Sequence, residues 1–373
     1  MGFVFCGRFC RDLAVVEDYV DSLRDLHGLV LNSGFVDGSY DSSVRLSCSV
    51  LVLTGCGVGV VDGRYSGVYG VVSDNPLIHV SAYPLIEDSP LLVMQALELM
   101  VAHEVLRSLD VDLMFMDGAY QISASYTFMS RHHRDVLFAR DIERLVNEVW
   151  ANGVNCEGVN KGFIAEVDRA VESLCSSVDV NGLSGEELYP IAYHVVWDRI
   201  RLNMLSSLLR LAEERGACVF WLAKEYQSSV LSRFIGSRWI SDVALLTEGL
   251  SMCSAVYIPV HHVIGASGGM RLHEKPIELP DRFALWDLVY FKVHRYSPVL
   301  CLTYPSACRD HLECALGTLY TLSHGRGYPE PMIIVHSKSA VNRGFAKLIA
   351  DKLYEVNGDV RLAKTARDAV GLG

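Results

Sequence analysis

The stretch Asn32-Ser33-Gly34-Phe35-Val36-Asp37-Gly38-Ser39-Tyr40 puts one carboxylate, Asp37, at the end of an apolar strand and inside an Asp-Gly pair of the kind that marks turns. Upstream, Leu13, Val16, Tyr19, Val20, Leu23 and Leu26 share one stripe, which predicts a helix over residues 13–31 leading into that strand. Downstream, apolar residues from Val44 to Val52 alternate with Arg45, Ser47 and Ser49, the pattern of a half-buried strand. Gly55 to Gly57 and the Asp62-Gly63 pair then punctuate two further strand-like runs, Val58 to Val61 and Tyr65 to Val72. The result is a strand carrying Asp37 followed by an antiparallel meander. The glycines at 55 and 57 open no helix, which excludes a nucleotide-binding loop there.

A long helix from Pro90 to about Leu109 comes next. At about 100° per residue, Glu98 falls on its apolar face with Leu91, Met94, Val101, Ala102, Val105 and Leu109, while Glu104 sits with Arg107 and Ser108 on the polar side. A carboxylate on a buried stripe is costly unless it is paired, protonated or bound to a cation. Leu113 to Met116 then form a buried strand ending in Asp117-Gly118, an echo of Val36-Asp37-Gly38. Residues 135–216 read as a helical insertion or layer, with a capping box at Ser184 to Glu187 and a helix reset near Pro190. A strand at Cys218 to Ala223 precedes Lys224 and a short helix, and Ser241-Asp242 opens another. Strands over Phe283 to His294 and Val299 to Tyr304, a helix from Arg309 to Ser323, the segment Gly327-Tyr328-Pro329 and one or two helices carrying His336 complete the chain. No repeat or long linker divides it, so one elaborated α/β domain over residues 1–373 is expected.

Across 373 residues, 33 Lys and Arg face 44 Asp and Glu, a net charge of −11 that excludes coating nucleic acid by bulk charge. The mean hydropathy is +0.24. The richest apolar run, Leu91 to Ala102, is interrupted by Gln95 and Glu98, and Arg8, Arg11 and Asp12 interrupt the apolar start, so a cytoplasmic protein with no membrane association is expected. The eleven Cys are scattered, without the spacing of a zinc or redox site, and read as buried thiols.

Carboxylates gathered in one place repel one another unless a cation neutralises them, and hard oxygen donors suit Mg²⁺ or Mn²⁺. Such ions stabilise charge on a phosphodiester, which points to phosphodiester hydrolysis. Each residue also has a structural reading. Asp37 and Asp117 fit turn residues, as Asp62 does; Glu98 fits a core partner for an arginine; His336 fits a hydrogen-bonded helix histidine; Lys224 and Tyr328 fit a solvated lysine and a packed aromatic.

The order of motifs resembles that of the archaeal NurA nucleases: Val36-Asp37-Gly38-Ser39, a helix glutamate, Met116-Asp117-Gly118-Ala119, then Tyr328 and, eight positions on, His336. Lys224 and Ser241-Asp242 also stand where that family carries a Lys and an Asp. The second motif and the late strand Cys301-Leu302-Thr303-Tyr304-Pro305 depart from the family pattern. The resemblance implies an RNase H-like mixed sheet flanked by helices, in a chain that dimerises. It implies that Asp37, Glu98 and Asp117 hold Mn²⁺ or Mg²⁺, with His336 as a further ligand or as the group orienting water. Tyr328 would contact the scissile phosphate and Lys224 would offset negative charge. The implied substrate is DNA, single-stranded and at duplex ends, cut by 5′-to-3′ exonuclease and single-strand endonuclease action. The implied partner is a hexameric HerA-type translocase acting in end resection and repair. A catalytically weak scaffold that caps a translocase ring, and a phosphatase acting on small molecules, are the alternatives.

Overall fold

The computed structural model describes residues 18–45, 48–127, 161–177, 185–224, 227–236, 240–323 and 327–357. Its centre is a hairpin of two long strands, β2 (Ser33–Val44) and β3 (Ser49–Val61), preceded by a two-residue strand, β1 (Asp21–Ser22). β4 (Arg64–Val71) and β5 (Leu77–Ser81) both pair with β3. Helix α1 (Ser89–Ser108) crosses to β6 (Leu113–Asp117), which runs parallel to β2. The short α2 (Tyr120–Ser123) follows, then α3 (Lys161–Ser177) and α4 (Gly185–Glu214). β7 (Cys218–Ala223) returns parallel to β6. After α5 (Val230–Phe234) and α6 (Asp242–Gly249), β8 (Val256–Pro259), α7 (Val260–Val263), β9 (Met270–Arg271), β10 (Leu285–Lys292) and β11 (Leu300–Pro305) extend the sheet antiparallel. Helices α8 (Leu312–Leu322), α9 (Glu330–Ser339) and α10 (Phe345–Asn357) close the described chain.

Together the eleven strands form one mixed sheet in the order β1-β8-β10-β11-β7-β6-β2-β3-β4, with β5 beside β3 and β9 beside β10. The expected α/β class, a mixed sheet flanked by helices, is what the chain adopts. The run β4-β3-β2-β6-β7, an antiparallel meander joined by a helix to two parallel strands, is consistent with an RNase H-like core. Strand alternation sorts the core into two layers. Val36, Met114, Met116 and Trp221 face α1 and α4. Phe35, Phe115, Phe220 and Tyr304 face α8 and α9, and their rings stack in sequence across β2, β6, β7 and β11 at 5.0, 5.9 and 5.2 Å between centroids. The cysteines of the described residues are free, and all but the half-buried Cys314 are buried.

Several local expectations are corrected. Asp37 does not end its strand: β2 runs on to Val44, which pairs with Ser49 of β3. Nor do Gly55 and Gly57 interrupt β3, which is continuous from Ser49 to Val61. They are glycines because α1 lies directly on them: a Cβ on Gly57 would meet Val101 at 2.8 Å and Val105 at 2.9 Å. The Asp62-Gly63 turn is as expected, with both residues at positive φ, 51° and 71°. No single helix spans residues 13–31. Residues 13–17 lie outside the described residues, and the rest holds β1 and short 3-10 structure, at residues 18–19 and at Leu23–Leu26. The apolar stripe is divided between layers, Val20 in one and Leu23 and Leu26 in the other, which one helix face cannot serve. The expected helix from Arg309 starts as a 3-10 segment, Ser306–His311, and α4 continues unbroken through Pro190. Of the helical block, residues 135–160 and 178–184, Ser184 of the expected capping box among them, lie outside the described residues.

Helix α1 is long and apolar enough to cross a membrane, with a mean hydropathy of 1.3 despite Gln95 and Glu98. Yet 83% of that window is buried within the protein, where α1 packs against β2, β3 and α4. A helix apolar on nearly every side is what a core position between two layers requires.

Candidate active site

Asp37 and Phe35 point to the same face of β2, as Asp117 and Phe115 do on the adjacent parallel strand β6. The register pairs Phe35 with Phe115 and Val36 with Met116, so the two aspartates stand side by side, one pleat beyond the stacked rings. Asp37 is 2% exposed. Glu98 arrives from α1 on the opposite side of the sheet. Its path lies over Gly38, where a Cβ would stand 2.7 Å from Glu98 Cγ and 2.8 Å from Oε1. The Gly38 backbone also hydrogen-bonds the Glu98 carboxylate. The glycine of the Val-Asp-Gly-Ser motif is thus the gap through which the helix carboxylate reaches the strand edge.

The electrostatics record the crowding. Burial first, then the charges of Asp37 and Asp117, hold the Glu98 carboxyl well above the usual carboxylate range. Asp117 is pushed up to about 6 by burial and by Asp37, against the opposing pull of Lys224 and His336. Among the described residues no arginine pairs with Glu98, and Asp117 is more than a turn residue. Among the described residues no three His, Cys, Asp or Glu side chains converge tightly enough to hold an ion as they stand. The three carboxylates are electrostatic neighbours rather than a closed cage. Their donor set, hard oxygens with repelling charges, fits a divalent cation such as Mg²⁺ or Mn²⁺.

His336 extends from α9, its ring 63% exposed, and bonds Asp37 Oδ2 through Nδ1 at 2.8 Å. A carboxylate can only accept, so Nδ1 carries the proton, and in the neutral ring Nε2 is the acceptor. Ser339, one turn further along α9, donates to the same Asp37 oxygen at 3.2 Å. Thr54 in β3 donates to the backbone oxygens of Ser39 and Ser339, and the Val341 backbone N–H donates to Ser39 Oγ at 3.2 Å. α9 is thereby tied to both strands of the central hairpin. Lys224, just past β7, places Nζ 4.1 Å from the centre of the Tyr328 ring. Burial, with the charges of Asp117 and Asp37, raises the Tyr328 phenol far above its ordinary value, so it stays a hydroxyl.

All six residues singled out in the sequence, Asp37, Glu98, Asp117, Lys224, Tyr328 and His336, gather at this one edge of the sheet. Asp242 does not join them. It is buried at the start of α6, accepting from the backbone of Leu231 and Ser232 and from Tyr290 Oη, a structural anchor for the α5 turn. Sequence reading missed Ser339 and Thr54. Their one available signal was a hydroxyl one helical turn after His336 and a lone Thr in an apolar strand.

A family model described as NurA domain matches residues 32–341. The chain belongs to the NurA family. A NurA crystal structure with manganese has a TM-score of 0.63 and 16% identity to this chain, covering 88% of it and 90% of the other. A NurA bound to dAMP and manganese follows at a TM-score of 0.59 and 14% identity, covering 87% and 88%. The NurA nuclease from Sulfolobus solfataricus has a TM-score of 0.52 and 14% identity, covering 93% and 95%. At such identities these likenesses establish the fold of this NurA chain. No curated protein sequence matches it.

Proposed function

We propose that this NurA-family chain is a divalent-metal-dependent deoxyribonuclease. The observation that carries the reading is the convergence of three carboxylates, two with raised pKa, on a histidine, a lysine and a tyrosine at one sheet edge. Manganese and dAMP in the crystal structures of NurA relatives support the choice of ion and substrate. Asp37, Glu98 and Asp117 would hold Mn²⁺ or Mg²⁺, with His336 as a further ligand or as the group orienting water. When bound, the ion supplies Lewis acidity toward a phosphodiester oxygen and lowers the pKa of a water.

The chain's own groups divide the remaining work. Asp37 orients His336 through the Nδ1 bond, leaving Nε2 to accept a proton from, or orient, the attacking water. Lys224 brings positive charge to where the phosphoryl oxygens gain negative charge, and the Tyr328 ring beneath it limits where its ammonium can go. The Tyr328 hydroxyl, kept protonated, donates to a phosphate oxygen. Finer points belong to the same proposal: 5′-to-3′ exonuclease and single-strand endonuclease action, homodimerisation, and DNA end resection with a HerA-type translocase. Co-elution of the chain with a hexameric HerA translocase checks the last, and its absence removes it.

The test is cleavage of labelled DNA with Mn²⁺, with chelator, and beside an aryl phosphate. Metal-dependent DNA cleavage with no phosphatase turnover supports the reading. A protein that binds a translocase ring but cleaves nothing supports the scaffold instead.

Two further outcomes follow from the geometry. Gly38→Ala drives a methyl into Glu98 and is expected to lower DNA cleavage by about 10²-fold, the scale of a misplacement of roughly 1 Å. Because the displaced atoms belong to one side chain, far-ultraviolet circular dichroism should be unchanged. The second concerns pH. Asp117 has a raised folded-state pKa, so its contribution to stability is fully present below about 3.8 and is lost as pH rises through about 6. Without added cation, thermal stability is expected to decline across that window. Mn²⁺ should restore it above about pH 6 and do little below about pH 4, where protons compete for the same oxygens. A Mn²⁺-induced rise in Tm independent of pH would contradict the assignment of Asp117.

A further inference from the structure

The turn between β10 and β11 stands at the same sheet edge as the candidate site. β11 enters the sheet beside the end of β7, with Cys301 opposite Ala223, the residue before Lys224. The turn also packs against the segment that carries Tyr328. A Cβ on Gly327 would stand 2.3 Å from Ser297 Cβ, and the next residue, Tyr328, has its ring under Lys224.

At the tip of this turn Tyr296 is 82% exposed, more than any other large hydrophobic side chain among the described residues. A single open ring is ordinary on a protein surface. What sets this one apart is how it is held and what surrounds it. The Ser297 N–H donates to the His294 carbonyl at 2.9 Å. Ser297 Oγ donates to the same carbonyl at 2.8 Å and accepts from the His294 N–H at 3.0 Å. The Tyr296 N–H donates to His294 Nδ1 at 3.2 Å, and the Arg295 guanidinium lies 5.6 Å from the centre of the Tyr296 ring. Ring and cation are thus fixed side by side, so little ordering remains to be done when a partner arrives.

The surroundings are basic in a chain whose net charge is −11. From Phe291 to Leu300 there is no Asp or Glu. Arg295 bonds the Met252 sulfur at 3.0 Å, and among the described residues no carboxylate pairs with it. Lys292 is a second cation within its electrostatic reach. An open ring beside uncompensated positive charge suits an unpaired nucleotide, whose base stacks while its phosphate meets the cation. Bases within a duplex are already stacked and offer no face. A protein partner would use similar residues, and position decides between the two: the tip abuts the segment carrying Tyr328, at the Lys224 end of the site.

We propose that Tyr296 and Arg295 form a platform for single-stranded DNA, on which one unpaired base stacks a few nucleotides from the phosphodiester at Asp37, Glu98 and Asp117. The proposal rests on the nuclease reading for the identity of the strand, and it gives that site a preference for unpaired over fully paired ends. Neither residue touches the reacting atoms.

Tyr296→Ala and Tyr296→Trp test it. Binding is read by fluorescence anisotropy in chelator on a dT oligonucleotide and on an abasic tetrahydrofuran oligomer of equal length. Tyr296→Ala is expected to weaken dT binding by about 10-fold, the scale of one lost base–aromatic stack, and to leave the abasic oligomer unaffected. Tyr296→Trp should bind dT at least as well as wild type. Arg295→Ala should lower the slope of log affinity against log salt by about 0.7, one phosphate on a single strand. With Mn²⁺, Tyr296→Ala should raise KM on dT and leave kcat unchanged. No loss on dT, or an equal loss on the abasic oligomer, overturns the platform. So does a Tyr296→Ala variant that binds dT like wild type but changes its oligomeric size, which makes the tip a contact between protein chains. Failure of the nuclease reading looks different. Wild-type protein that cleaves nothing with Mn²⁺ yet binds dT through Tyr296 keeps the platform and loses the nuclease. If it neither cleaves nor binds, both fall.

Discussion

Asp37→Asn is expected to lower Mn²⁺-dependent DNA cleavage by at least about 10²–10³-fold, the range one charge-stabilising group is worth, while the protein stays folded. The substitution keeps the shape of the side chain and removes its charge. His336 Nδ1 and Ser339 Oγ, both now donating to Asp37 Oδ2, can still find one carbonyl oxygen, so α9 remains docked through Thr54 and Ser39. What changes is electrostatic. Asp37 is the charge that most raises Glu98 and Asp117 after burial itself, so its neutralisation should bring the Asp117 carboxyl down from about 6 toward ordinary values. Melting temperature without cation should hold or rise, because one buried repulsion is gone, a common exchange of stability against function at such sites. Circular dichroism, thermal melting and a labelled-DNA assay check the three parts together. A variant that keeps cleaving within a few-fold of wild type would remove Asp37 from the site.

The candidate site was legible in the sequence wherever a residue broke the pattern of its own element. Glu98 sits on an apolar helix stripe, and Asp117 repeats the setting of Asp37. The error about where β2 ends came from the same signal. Val36-Asp37-Gly38 reads as a strand followed by a turn because glycine usually punctuates. Here Gly38, Gly55 and Gly57 lie inside long strands, and the reason is α1 packed against them. That reason is tertiary, and no local window contains it. The same limit hid Ser339, which meets Asp37 across 302 positions, and Thr54, which meets Ser339 across 285. The N-terminal stripe failed for a further reason. Periodicity reports that residues are apolar and regularly spaced, and it is silent on whether one core or two will take them.

Asp198→Ala is expected to be the most destabilising of these changes, by about 3–5 kcal/mol, because it strands a buried charge. Arg201 is 1% exposed on α4, and its guanidinium reaches the Asp198 carboxylate at 2.6 Å and the carbonyls of Ser123, the last residue of α2, and of Ser125. Asp198 in turn accepts from the Thr127 backbone and hydroxyl at 2.9 and 3.1 Å. This pair is how the helical layer grips the segment that leaves β6 directly after Asp117. Removing the carboxylate leaves the arginine dry, charged and uncompensated, and takes the Asp198 acceptor from the Thr127 backbone N–H. Asp198→Leu combined with Arg201→Met removes both charges together and should recover part of the loss, since an apolar pair can replace a buried ion pair at little cost. Recovery should be incomplete, because the Ser123 and Ser125 carbonyls then lack a donor. Urea midpoints for the two variants measure this ordering. A double variant no more stable than Asp198→Ala would locate the cost in the carbonyls rather than in the stranded charge. Cleavage should fall in both, since α2 follows Asp117 with only Gly118 and Ala119 between. A loop that follows a carboxylate of the candidate site needs something rigid behind it, and here that support is a buried salt bridge from a different layer of the fold.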